Sequence, residues 1–121
     1  MTGNQMLETW KSVCDTGELE DGESLTVAPG TIPGVDEPVA LYRVDGEFFA
    51  TSDTCTHEKW SLGEEGELEG HEVVCTLHNA RFDVRDGRPL CFPAVLGLRR
   101  YPTRVAEGQV YVGPEEAGSD D

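Results

Sequence analysis

Basic side chains are scarce in this sequence, and their scarcity excludes several functions. The 121 residues include 24 Asp and Glu but only 9 Lys and Arg, which gives a formal net charge of −15. Without a basic surplus, the chain has little means of displacing the counterions around a nucleic-acid backbone. The same negative charge disfavours binding to an anionic membrane surface. We therefore expect neither nucleic acid nor membranes as partners.

Long apolar runs are also missing. No stretch approaches the ~20 apolar residues that a membrane-spanning helix needs. The first residues, 1–5, show neither the positive nor the apolar region of a signal peptide. We therefore expect a cytoplasmic protein whose cysteines stay reduced or bind metal. The length fits a single domain with one core.

Turn-forming residues are plentiful and favour an all-β fold. The 14 glycines and 7 prolines spread along the chain suit many short strands and turns. The clearest local pattern is a pair of β-rich runs, 39–44 and 47–51, separated by Asp45-Gly46. Asp-Gly supplies the positive φ angles of a type I′ turn, so these residues predict a hairpin.

Other strands are predicted less directly. Residues 105–106 and 110–112 predict a second hairpin across a loop at 107–109. Short strands are expected around 73–74 and 82–84. Residues 7–14 fit either a helical turn or an edge strand.

Two Cys/His pairs carry the chemistry of the sequence. Cys55-Thr56-His57 is followed, after seventeen residues, by Cys75-Thr76-Leu77-His78. Each pair follows a predicted strand, so both are expected on loops at the end of a sheet. Zinc accepts two thiolates and two imidazoles, although its usual patterns pair Cys with Cys and His with His. One Cys and one His from each loop better suit a [2Fe–2S] cluster in which one iron takes both thiolates and the other both imidazoles.

These motifs closely resemble the two ligand loops of Rieske proteins. From about Trp10 to Val112 the chain is similar to the small Rieske ferredoxins of bacterial aromatic-ring-hydroxylating dioxygenase systems. The resemblance implies the all-β Rieske fold, an antiparallel β-sandwich base with a smaller cluster-binding subdomain formed by two ligand loops. It also implies one [2Fe–2S] cluster, with Cys55 and Cys75 on the inner iron and His57 and His78 on the outer iron.

The implied function is electron carriage without catalysis. Such ferredoxins take single electrons from a flavin-containing reductase and pass them to a terminal ring-hydroxylating oxygenase in aromatic hydrocarbon catabolism. The sequence has three histidines, so His71 alone remains once the two ligands are assigned. A mononuclear iron site with two histidines and a carboxylate therefore has too few residues here. A Rieske subunit of another oxidase or reductase, and a zinc-stabilised interaction domain, are the alternatives.

Given this resemblance, four positions that differ from the pattern of respiratory Rieske proteins bear on how the loops pack and on the redox potential. Trp60 and Leu77 stand where those proteins have the cysteines of an inter-loop disulfide, so we expect Trp60 to pack against the second loop through Leu77. Ala80 and Phe82 stand where those proteins have hydroxyl donors to the cluster sulfurs. Fewer such hydrogen bonds favour a low potential, roughly −150 mV rather than +300 mV.

The remaining candidates have less specific interpretations. We expect His71 to be a solvated surface residue, and Cys14 and Cys91 to be buried apolar residues rather than ligands. By resemblance, Pro93 is the candidate for the residue that covers the cluster.

Acidic and basic side chains are unevenly distributed along the chain. Six glutamates, at 58 and within 64–72, are expected to guide encounters with basic partner surfaces, whereas residues 81–104 carry six arginines and two aspartates.

A single Rieske domain is predicted over 1–113, with its cluster-binding part at about 52–94. The acidic residues 114–121 are predicted to form a flexible tail.

Overall fold

Short antiparallel strands make up most of the computed structural model, which describes residues 10–55, 60–76, 79–91 and 97–114. The strands, in chain order, are β1 Lys11–Asp15, β2 Ser24–Val27, β3 Val39–Val44, β4 Glu47–Ser52, β5 Glu67–Glu69, β6 Glu72–Cys75, β7 Ala80–Asp83, β8 Pro89–Cys91, β9 Arg100–Tyr101, β10 Thr103–Ala106 and β11 Gln109–Val112. The prediction of an all-β chain is confirmed.

Helical structure in these residues is limited to a 3-10 turn, Thr16–Glu18, and one α-helical turn, α1, Leu62–Glu65. Ser61 caps α1 by accepting a hydrogen bond from the backbone N–H of Glu64 at 3.1 Å. Within the described part of the chain, neither helix has the length or apolar character needed to cross a membrane.

The strands form three antiparallel sheets. Their orders are β1-β11-β10, β2-β3-β4-β9 and β5-β6-β7-β8. The first two sheets pack on each other through one apolar cluster, and the third sheet packs on the second through another. The antiparallel sandwich base that was expected is therefore observed, and a third, four-stranded sheet packs beside it.

Strand β3 lies between the two apolar clusters. Val39 and Leu41 belong to the cluster of the base, while Ala40, Tyr42 and Val44 belong to the cluster beneath the third sheet. Successive side chains of a strand point to opposite faces, so a strand buried on both faces needs an unbroken apolar run. This placement explains why Val39-Ala40-Leu41-Tyr42 does not alternate with polar residues.

Both predicted hairpins are present. Asp45 and Gly46 have φ angles of 53° and 81°, as a type I′ turn requires, and β3 pairs with β4 around them. The second hairpin has a shorter loop than expected. Only Glu107 and Gly108 form its turn, because Gln109 already belongs to β11 and pairs with Ala106.

The less direct strand predictions are resolved as follows. Residues 73–74 lie in β6, whereas Val84 lies in the turn after β7. Residues 7–14 were expected to form either a helical turn or an edge strand. Residues 11–14 belong to β1, which lies at the edge of its sheet, so the strand is correct for the described part of this range. Residues 7–9 and 115–121 lie outside the described residues.

Candidate metal centre

The two predicted cysteine ligands are both buried, one shortly after a strand and the other at the end of a strand. Cys55 comes three residues after β4, and Cys75 is the last residue of β6. Their exposed fractions are 2% and 0%, and both belong to the apolar cluster beneath the third sheet. The sequence analysis placed both cysteines on loops after strands but did not predict their burial; their role as ligands of the inner iron stays a prediction.

Each cysteine starts a loop that a backbone hydrogen bond closes. In the first ligand loop, residues 55–60, the N–H of Cys55 donates to the carbonyl oxygen of Trp60 at 2.9 Å. In the second ligand loop, residues 75–79, the N–H of Asn79 donates to the carbonyl oxygen of Cys75 at 2.7 Å. Asn79 has a φ of 63°, a left-handed conformation that asparagine tolerates better than most residues. The predicted ligands His57 and His78 fall within these loops but lie outside the described residues.

The two ligand loops are joined by a side-chain hydrogen bond. The indole N–H of Trp60 donates to the hydroxyl oxygen of Thr76 at 3.1 Å. That hydroxyl in turn donates to the carbonyl oxygen of Glu65, in α1, at 2.8 Å. The expected partner of Trp60, Leu77, lies outside the described residues, so the contact that the structure shows between the loops is polar. This role of Thr76 could not be predicted from the sequence, because no local pattern distinguishes its hydroxyl.

A buried carboxylate supports the first ligand loop. Asp53, which is 3% exposed, accepts hydrogen bonds at Oδ1 from the hydroxyl of Thr26 at 2.9 Å and from the N–H of Gly63 at 2.7 Å. Its backbone accepts from Leu62 N–H at 2.8 Å. Asp53 therefore fastens the segment before Cys55 to β2 and to α1. The sequence signal for this role was an acidic residue at the end of an apolar strand, two residues before a predicted ligand.

Acidic side chains surround this region unevenly. Glu64, Glu65 and Glu67 are exposed, and the described residues provide no ion-pair partner for them. Arg81 instead pairs with Glu69 at 2.8 Å and Glu72 at 3.0 Å. The net negative surface near the ligand loops is thus concentrated on α1 and the start of β5.

The arginine-rich segment is largely paired within the protein. Arg85 and Arg88 both approach the buried carboxylate of Asp83, at 2.8 and 3.8 Å. The side-chain hydrogen bond from Arg85 lowers the pKa of Asp83, against the opposing effect of burial. Arg99 pairs with Glu37 at 3.7 Å, and the guanidinium of Arg104 lies 5.5 Å from the ring centre of Trp10. These contacts use the positive charge of the segment mainly for structure.

The other candidates are placed as follows. Cys14 is 7% exposed in the cluster of the base, where burial raises the pKa of its thiol, so its predicted role as an apolar residue is confirmed. The expectation of a solvated His71 is wrong, because this side chain is half-buried and its ring packs edge-on against Phe49 at 5.6 Å. Cys91 lies in β8, and Pro93 lies outside the described residues.

The chemistry of the described donors fits an iron–sulfur cluster. Two buried thiols in one apolar cluster are suitable thiolate ligands for iron, and each of them begins a loop whose sequence contains a predicted histidine ligand. Among the described residues, no group of three or more His, Cys, Asp or Glu side chains forms a metal site. The assignment of the remaining ligands therefore depends on residues 57 and 78.

Comparison with known proteins identifies the family. Residues 9–102 match the Rieske [2Fe–2S] domain. The chain belongs to the Rieske family. The match spans both ligand loops and most of the described sheets, so the Rieske fold class predicted from the sequence is confirmed.

Relatives of this Rieske chain are components of dioxygenase systems. The ferredoxin component of the p-cumate 2,3-dioxygenase system of Pseudomonas putida is 42% identical over 100 residues, which cover 83% of this chain and 81% of that protein. The biphenyl dioxygenase ferredoxin subunit of Pseudomonas sp. (strain KKS102) is 41% identical over 104 residues, covering 86% of this chain and 91% of that protein.

Solved structures agree with these relatives. A chain in the complex of reduced oxygenase and oxidized ferredoxin in carbazole 1,9a-dioxygenase has a TM-score of 0.81 and 37% identity, covering 89% of this chain and 95% of that chain. The ferredoxin of carbazole 1,9a-dioxygenase from Nocardioides aromaticivorans IC177 has a TM-score of 0.78 and 30% identity, covering 88% of this chain and 99% of that chain. The Rieske chain described here is thus an electron carrier of the ferredoxin type, not itself an enzyme, and its cofactor is a Rieske [2Fe–2S] cluster.

Proposed function

We propose that this Rieske ferredoxin carries single electrons from a flavin-containing reductase to the terminal oxygenase of a multicomponent aromatic-ring dioxygenase in the cytoplasm. The observation that carries the proposal is the burial of Cys55 and Cys75 at the starts of two joined loops in a chain of this family. The naming of its relatives as dioxygenase ferredoxins supports the choice of partners.

The proposed ligand set is Cys55, His57, Cys75 and His78. The two thiolates hold the inner iron and the two imidazoles the outer iron, so that the bound cluster supplies a one-electron redox centre. The chain contributes a dry apolar environment for the thiolates, because both cysteines pack among Leu62, Val73 and Phe82. An apolar shell of this kind limits solvent access and so tunes the potential of a metal centre.

The proposed domain limits are those expected from the sequence. Residues 1–113 form a single Rieske domain, and its cluster-binding part covers about 52–94, which includes both ligand loops and the third sheet. Residues 114–121 form an acidic tail. Ala80 and Phe82, both 0% exposed, cannot donate hydrogen bonds from their side chains, which supports a low potential.

Site-directed variants with matched controls test the ligand set. Cys75→Ser should abolish the visible chromophore. It should also remove the iron and sulfide of the cluster, about two of each per chain. Cys14→Ser is the control, since Cys14 is also a buried thiol but lies in the other apolar cluster. His78→Asn and His71→Asn form the second pair, and only the former should lose the cluster. Retention of iron and sulfide by Cys75→Ser would contradict the assignment.

Anaerobic reconstitution tests the partners. The purified protein is mixed with a flavin-containing reductase, NADH and the terminal oxygenase of an aromatic-ring dioxygenase, and ring-hydroxylated product is measured after oxygen is admitted. We expect product only when the ferredoxin is present with its cluster. Reduction of the cluster without product formation by any such oxygenase would redirect the proposal to another kind of Rieske-dependent enzyme.

A further inference from the structure

We propose that the hydrogen bond between Trp60 and Thr76 is the positioning contact that holds the two ligand loops together around the cluster. The proposal deepens the proposed function and rests on it, because the loops have a cluster to position only if they bind one. The residues concerned are not ligands, and their effect would be transmitted through the backbone of the loops.

Trp60 is coupled directly to Cys55. Its carbonyl oxygen accepts the N–H of Cys55 at 2.9 Å, so the two ends of the first ligand loop are held together by this bond. Its indole is half-buried and packs against the apolar cluster that contains both cysteines. The ring therefore has a fixed position from which to direct its N–H toward the second loop.

Thr76 is coupled directly to Cys75. The two residues are adjacent, and the carbonyl oxygen of Cys75 accepts the N–H of Asn79 at 2.7 Å to close the second ligand loop. The hydroxyl of Thr76 accepts from Trp60 and donates to the carbonyl oxygen of Glu65, so its proton and one lone pair are both used. A hydroxyl in this arrangement has one preferred orientation.

These hydrogen bonds join both ligand loops to α1. The path runs from Cys55 through Trp60 and Thr76 to Glu65 in α1, which Asp53 fastens at its first turn through Gly63. In the sequence, the predicted ligand His57 lies between Cys55 and Trp60, and the predicted ligand His78 lies between Thr76 and Asn79. Loss of the Trp60–Thr76 bond should therefore let the loops separate more often, which exposes the cluster to loss.

The test measures the rate at which an iron chelator removes the cluster from the loaded protein. Trp60→Phe removes only the N–H donor and keeps most of the aromatic ring, whereas Thr76→Val removes the hydroxyl with little change in volume. A typical net hydrogen bond corresponds to a severalfold change in an equilibrium, so we expect cluster loss about threefold faster in the first variant and about fivefold faster in the second. Thr76→Ser should restore the rate of the unaltered protein.

Two further variants separate this role from a general loss of stability. Thr103→Val removes a hydroxyl that donates to the carbonyl oxygen of Phe48 at 2.8 Å in the base, matching the bond from Thr76 to Glu65 in length. Its rate of cluster loss should be unchanged even if its unfolding temperature falls. The double variant Trp60→Phe/Thr76→Val should lose its cluster no faster than Thr76→Val alone, because one bond is removed twice.

The outcomes distinguish this proposal from the proposed function. If the unaltered protein contains neither iron nor sulfide, the proposed function fails. If it contains the cluster and the Trp60 and Thr76 variants lose it at the unaltered rate, the proposed function stands and the positioning role is overturned. Additive effects in the double variant, or an equal effect of Thr103→Val, would also overturn it. A change in the visible circular dichroism of the cluster in Thr76→Val, reversed in Thr76→Ser, would support it.

Discussion

The carboxylate of Asp53 accepts a hydrogen bond from the backbone N–H of Gly63 at 2.7 Å, joining the strand end before Cys55 to the first turn of α1. Because Asp53 is 3% exposed, removal of its side chain leaves the N–H of Gly63 and the hydroxyl of Thr26 without this partner in the interior. Asp53→Ala should therefore lower the free energy of unfolding by about 2 kcal/mol. Urea unfolding measures the change.

Two comparisons make the Asp53 prediction specific. Asp53→Asn keeps a side-chain oxygen that can accept and should cost less than Asp53→Ala. Asp86→Ala removes an exposed carboxylate that accepts from the N–H of Arg88 at 2.9 Å, and should change stability by less than about 0.5 kcal/mol. Equal effects of Asp53→Ala and Asp86→Ala would show that the buried site is not special.

Gly63 should not tolerate a side chain. A Cβ at this position would lie 2.3 Å from the hydroxyl oxygen of Thr26 and 2.7 Å from the carbonyl oxygen of Leu25. Gly63→Ala should destabilise the protein by about 2–3 kcal/mol, within the usual range for forced overpacking. Gly17→Ala is the control, because nothing lies within 4 Å of a Cβ there. Thermal unfolding of both variants checks the prediction, which fails if Gly63→Ala is as stable as Gly17→Ala.

The pairing of Asp83 with Arg85 should make stability depend on acid pH. The hydrogen bond from Arg85 lowers the pKa of Asp83 below its usual value of 3.8. A lowered pKa contributes stability above the pKa of the unfolded chain, and this contribution is lost as pH falls through the lower pKa of the folded protein. The stability advantage of the unaltered protein over Arg85→Gln should therefore be constant near neutrality and shrink below about pH 4. Urea midpoints between pH 7 and pH 3 measure this difference, and an advantage that stays constant down to pH 3 would contradict it.

The exposed glutamates beside the ligand loops should accelerate docking with a basic partner surface. Glu64, Glu65 and Glu67 lie in α1 and β5, and the triple change of these residues to Gln should slow association with the reductase about fivefold at low salt. The matched control changes Glu18, Glu20 and Glu107, three exposed residues of the base, and removes the same charge. Stopped-flow reduction rates at several ionic strengths measure both. A control that slows association as much as the test triple would indicate that net charge alone is responsible.

The midpoint potential should lie near the low end of the Rieske range, at roughly −150 mV. The physical reason is that the side chains of Ala80 and Phe82 donate no hydrogen bond that would stabilise the reduced cluster. Protein-film voltammetry measures the potential, and a value above zero would refute the prediction. Ala80→Ser should raise the potential, whereas Ala50→Ser, in the other apolar cluster, should leave it unchanged.

The features that the sequence could predict are local in origin. The Asp45-Gly46 turn depends on the φ preferences of two adjacent residues, and the structure shows both of them positive. The second hairpin was predicted with a loop one residue too long, because Gln109 belongs to the strand only through its pairing with Ala106. The burial of Cys14 was predicted from the general tendency of free cysteines to be buried, while the half-buried state of His71 depends on Phe49, 22 positions earlier in the chain.

Local patterns are enough to predict the all-β class, the principal hairpin and the two Cys/His pairs, because backbone preference and ligand chemistry act over a few neighbouring residues. The contacts that surround those pairs arise only when the chain folds. The bond from Trp60 to Thr76 spans 16 positions and that from Thr26 to Asp53 spans 27. Such partners are selected by the packing of sheets and turns against one another, since a hydroxyl or an indole carries no local signal of the distant group that it will meet.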